Sequence, residues 1–130
     1  MLCKLLSALP QDAFTSTVIS LTTEGELAGR VRTAGANVFA LELQRSRNLP
    51  AGALKIWQIL RTVRPHIVQT WLYHSDFIGY LGGRLTSVPI IAWNIRCANM
   101  GDSYYRGVSG ALVRVLAALS PRPDAIIVNS

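Results

Sequence analysis

Residues 66–94 read HIVQTWLYHSDFIGYLGGRLTSVPIIAWN. Ile67 to Trp71 is a short, β-branched apolar run, Ile90 to Asn94 is another, and Asp76 to Leu85 between them carries Ile78, Leu81 and Leu85 at helical spacing. A strand, a helix of about ten residues and a second strand make a βαβ crossover, the connection that joins parallel strands with a right-handed turn. Both strands are nearly continuous apolar runs, the pattern of strands covered on both faces.

Working outward, the same alternation fills the chain. Leu2, Leu5, Leu6 and Leu9 form one helical stripe that Pro10 stops, and Thr17 to Thr22 and Val38 to Leu43 read as strands on either side of a helical stretch holding Leu27, Val31 and Ala34. Ala51 to Arg64 is the clearest helix: Ala53, Ile56, Trp57, Leu60 and Val63 share a face, Lys55, Gln58 and Arg61 lie mostly opposite, and Pro65 ends it. Arg106 to Leu119 is a further helix, closed by Pro121, and Ala125 to Asn129 a fifth strand. The fold class is therefore α/β, a Rossmann-like and mainly parallel sheet with helices on both faces. A chain of 130 residues holds one such domain with a real core, not two of ordinary size.

Half of the residues are apolar and only 15% are charged, which excludes an intrinsically disordered chain. Thirteen basic residues against seven acidic ones give a formal charge of +6. No acid occurs from Leu43 to Ser75, where Arg45, Arg47, Lys55, Arg61 and Arg64 lie. One part of the surface should be distinctly positive and suit phosphate-bearing partners, an anionic membrane among them. Trp57, Trp71 and Trp93 fall on apolar faces or strands, so they read as core rather than as stacking platforms, and nucleic acid is not the expected partner. Cys3 and Cys97 stand far apart without CxxC spacing, which argues against a disulfide framework and a zinc site and fits a reducing cytoplasm. The opening MLCKLLSALPQD is broken by Ser7, Pro10, Gln11 and Asp12 before a signal-peptide core could form, and no run approaches the ~20 apolar residues of a membrane span.

In an open parallel α/β sheet ligands bind beyond the carboxyl ends of the strands, so the residues just after each strand are the informative ones. Tyr73, His74, Ser75 and Asp76 follow one strand; Asn94, Arg96 and Asn99 end or follow the next. His74 is the candidate catalytic residue, because a histidine in a loop between strand and helix, with Ser75 or Asp76 as cap, can donate to a ligand hydroxyl or phosphate or act as a base. Arg96 offers a guanidinium fork to a phosphate or carboxylate. His66 precedes its strand, lies at the opposite edge of the sheet and reads as structural. Gly79, Gly82 and Gly83 sit inside a helical pattern rather than opening a helix after a strand, which makes them contacts for close packing and not a phosphate loop. No carboxylate cluster is available to hold a metal.

At TWLYHSDFIGYLGGRL and again at PIIAWNIRC the chain resembles the acceptor-side, N-terminal domain of family 4 glycosyltransferases, retaining enzymes of the GT-B fold. The order of elements fits as well, from VISLT through HIVQTWLYHSD and VPIIAWNIR to DAIIVNS. The resemblance implies transfer of a sugar from a nucleotide sugar to a cell-surface glycan or glycolipid; the cysteine usage and the basic surface set the expected location as the cytoplasm, peripheral at the inner membrane face. The resemblance places His74 and Arg96 along the acceptor side of the cleft; with the strand-end positions, the expected site is His74 as catalytic residue and Tyr73, Asn94, Arg96 and Asn99 as acceptor-binding residues. Family members begin with a strand and a glycine-rich loop ahead of the first helix and continue into a donor-binding domain. The expectation is accordingly an incomplete domain over residues 1–130, inactive alone, with no cofactor of its own because the nucleotide sugar would bind the other domain. Two alternatives stay open: another Rossmann-like or GT-B nucleotide-sugar enzyme such as an epimerase, and a non-enzymatic α/β binding module.

Overall fold

A computed structural model describes residues 1–43, 49–95 and 108–128. The elements alternate as α1 (Leu2–Ala8), β1 (Thr17–Ser20), α2 (Ala28–Thr33), β2 (Asn37–Ala40), α3 (Leu49–Val63), β3 (Ile67–Trp71), α4 (Tyr73–Leu85), β4 (Ile90–Ile95), α5 (Val108–Leu119) and β5 (Ala125–Val128). All strand pairing is parallel, and the fold is the Rossmann-like α/β class expected from the sequence. The strands lie in two sheets, β1–β2 and β3–β4–β5. The chain divides correspondingly into two compact units, Met1–Gly52 and Ala53–Ser130.

In the first unit, Val18 and Val38 are register partners and pack with Leu6 of α1 and Val31 of α2. The regular ladder stops at Ser20 and Ala40, short of the Thr22 and Leu43 that the apolar runs suggest. The cause is local: the Ser20 hydroxyl donates to the Thr23 carbonyl at 2.6 Å, and Glu42 adopts a left-handed φ of 54°. Backbone bonds nevertheless continue beyond the ladder, from Leu41 to Ser20 and from Leu43 to Leu21, both at 2.9 Å.

The second unit is built around β4, bonded on one edge to β3 and on the other to β5. Ile91 and Trp93 point to the face covered by α4 and α5, where they pack with Tyr80, Val88 and Leu116. Tyr80 meets the Trp93 ring edge-on, with centroids 6.0 Å apart, a favoured geometry for two aromatic quadrupoles. Close approach of α4 to β3 depends on Gly79, where a Cβ would overlap the Thr70 methyl. Thus the helical glycines serve packing, as their spacing predicts. Entry into β5 is fixed by a reciprocal pair: Asp124 N–H donates to the Ile91 carbonyl and Ile91 N–H to the Asp124 carboxylate, each at 2.9 Å. Arg84 at the end of α4 reaches the same corner, donating to the Arg122 carbonyl at 2.6 Å.

Candidate functional site

The carboxyl end of β3 turns into α4 without an intervening loop. One residue, Leu72, makes the junction, and it does so at φ 78°, ψ 148°, a backbone region that a side chain strongly disfavours. Helix α4 consequently begins at Tyr73, three residues earlier than the Asp76 start read from the sequence. His74 therefore stands in the first turn of the helix and not in a loop before it. Neither Ser75 nor Asp76 is the N-cap; Leu72 is, and no side chain caps the helix. An uncapped helix start directs backbone N–H groups and the positive end of the helix dipole toward whatever polar oxygen comes near.

His74 is exposed, with its ring 4.4 Å from that of Tyr73 at an interplanar angle of 45°. Tyr73 also packs against the core around Trp93 and Tyr80, so it anchors the pair to the second unit. Asn94 is placed at the same end of the sheet as the register partner of Trp71. It lies within β4, which runs on to Ile95, and is only 2% exposed. Arg96 and Asn99, the other two acceptor-side candidates, lie outside the described residues. Tyr73, His74 and Asn94 are thus gathered at one end of the β3–β4 pair.

Beneath the junction lies a carboxylate whose burial was not legible in the sequence. Asp76 is 3% exposed and accepts a hydrogen bond from the Thr70 hydroxyl at 2.5 Å. Burial pushes its carboxyl up to about 6, against the opposing pull of the Thr70 bond. The sequence signal for this pair is its spacing: Thr70 is one residue from the end of a strand, and Asp76 follows six positions later in the first turn of the next helix. Among the described residues, no group of three or more His, Cys, Asp or Glu side chains is placed to hold a metal ion. No helix of the described residues is long and apolar enough to cross a membrane.

Parallel strands alternating with helices, with polar groups collected where β3 passes into α4, define a Rossmann-like half of a GT-B fold. The chain belongs to glycosyltransferase family 4, whose sequence model matches residues 1–130. No curated protein and no solved structure matches the chain.

Proposed function

We propose that this chain is the acceptor-side part of a retaining glycosyltransferase that moves a sugar from a nucleotide sugar to a cell-surface glycan or glycolipid at the cytoplasmic face of a membrane. The observation that carries the reading is the family match over residues 1–130. The β3–α4 junction supports it, because an exposed imidazole beside an uncapped helix start can bind a sugar hydroxyl and take up its proton. In the reaction the bond between the sugar's anomeric carbon and the nucleotide phosphate breaks and a bond to the acceptor oxygen forms. The nucleotide leaves with the electron pair, and the acceptor hydroxyl loses its proton. His74 orients that hydroxyl, Tyr73 holds the imidazole, and Asn94 supports the strand end that they share. Arg96, next in sequence after β4, adds a guanidinium for an anionic group of the acceptor. In this reading the donor is held outside these 130 residues, so the chain alone binds acceptor without turnover.

Alanine at His74 or Arg96 in the intact enzyme should lower transfer and leave donor hydrolysis unchanged, the loss at Arg96 being about tenfold to a hundredfold, the worth of a charge-assisted contact. Wild-type transfer kinetics in both variants would overturn the assignment.

A further inference from the structure

At the amino ends of β3 and β4, on the edge of the sheet away from His74, a groove of about 600 Å³ opens between the end of α3 and the end of α4. Trp57, Arg61, Arg64, His66, Thr86 and Ser87 line it, and no carboxylate does. The Arg61 guanidinium lies 4.8 Å from the centre of the Trp57 ring, which fixes its stem one helical turn along α3. Neither arginine has an acidic partner among the described residues, whereas Arg32 and Arg84 elsewhere in the chain do.

No ion pair among the described residues accounts for these cations. Helix ends attract basic side chains through their unpaired carbonyls, but here main-chain N–H groups already reach Leu60 O, Gly82 O and Gly83 O. Arg64 N–H donates to Leu60 O at 2.8 Å, Thr86 N–H to Gly82 O at 3.0 Å, and Val88 N–H to Gly83 O at 2.9 Å. The Thr86 hydroxyl adds a second bond to Gly82 O at 2.7 Å. Backbone preference argues in the same direction. Arg64 and Ser87 follow the ends of α3 and α4 with φ of 47° and 57°, positions at which glycine carries no steric penalty. Both keep a polar side chain at that cost, and both side chains line the one groove.

We propose that this groove binds a phosphate-class anion, with Arg61 and Arg64 as its charged ligands and Ser87 as a hydroxyl donor. The site is separate from the β3–α4 junction. It deepens the membrane part of the reading above, and its soluble-phosphate test stands independently of glycosyl transfer, so either can fail without the other.

The decisive variant is Arg64→Gly, which removes the charge and relaxes the backbone together. The full chain is titrated with inorganic phosphate while the Trp57 indole N–H resonance is followed. In parallel, it is sedimented with vesicles of phosphatidylglycerol in phosphatidylcholine and with phosphatidylcholine alone. Phosphate should move the Trp57 resonance, and Arg64→Gly should weaken binding by about tenfold or more with an unchanged or raised melting temperature. Arg61→Gln should weaken it similarly, and Arg114→Gln, on the exposed side of α5, by less than about twofold. Phosphatidylglycerol binding with the same Arg64 dependence identifies a lipid headgroup as the source; phosphate binding alone identifies a soluble phosphate ester. An unmoved Trp57 resonance at millimolar phosphate, or equal weakening by Arg64→Gly and Arg114→Gln, would overturn the proposal.

Discussion

Asp76 sits where two opposing effects meet. The first turn of a helix favours a negative charge, while a nearly water-free setting disfavours it, and burial prevails, raising the carboxyl from 3.8 to about 6. A carboxyl that is more basic folded than unfolded binds its proton more tightly in the native state. Its contribution to stability is therefore full below about pH 4 and is lost as pH rises through about 6. Asp76→Asn keeps an oxygen that can accept from Thr70 and has no charge to bury. The variant should match the parent near pH 4 and exceed its stability at pH 8 by about 1–3 kcal/mol in denaturant melts. A variant less stable than the parent at pH 8 would show that the ionised carboxylate is held by contacts stronger than its desolvation.

At the scale of elements, the second unit depends on how closely α4 can lie on β3. A methyl group at Gly79 would strike Thr70, the residue that donates to Asp76, so Gly79→Ala forces the helix outward and disturbs that bond as well. Gly29 in α2 has open space where its Cβ would be. The same substitution should thus act with opposite sign at the two sites. Gly79→Ala should cost about 1–3 kcal/mol by overpacking, and Gly29→Ala should gain about 0.5–1 kcal/mol from helix propensity. Thermal melts of the two variants check this, and a neutral Gly79→Ala would mean that α4 is not seated on the sheet.

These elements also show what the sequence discloses. β3 matches the run Ile67 to Trp71 residue for residue, and α4 ends at Leu85 as its periodicity indicates. The start of α4 was hidden because its junction uses a leucine in a conformation normally signalled by glycine, and because Tyr73, His74 and Ser75 carry no apolar period. Trp57 was assigned to the core by its helical face, but it is only partly buried and its ring forms a wall of the groove. The acid-free stretch from Leu43 to Ser75 announced a basic surface. Only the fold brings Arg61, Arg64 and His66 into one concavity.

Across the whole molecule, the apolar runs located the strands but did not say which strands pair. That is why the division into a two-stranded and a three-stranded sheet emerges only from the structure. β4 alone among the described strands has neighbours on both edges, and its four central residues are buried. That buried strand carries Asn94, and β3 beside it leads through Leu72 into Tyr73 and His74. Rossmann-like sheets place their ligands beyond the strand ends in this way. The proposed seat of the sugar acceptor at this end can be probed by titrating the chain with uncharged methyl glycosides of glucose, galactose, mannose and N-acetylglucosamine while following its side-chain NMR resonances. Acceptor binding at the β3–α4 junction predicts that at least one glycoside moves the His74 imidazole and Tyr73 ring resonances together and leaves Trp57 unmoved. If none of the four moves His74, or if the shifts fall only on β1 and β2, the acceptor is not bound at the β3–α4 junction.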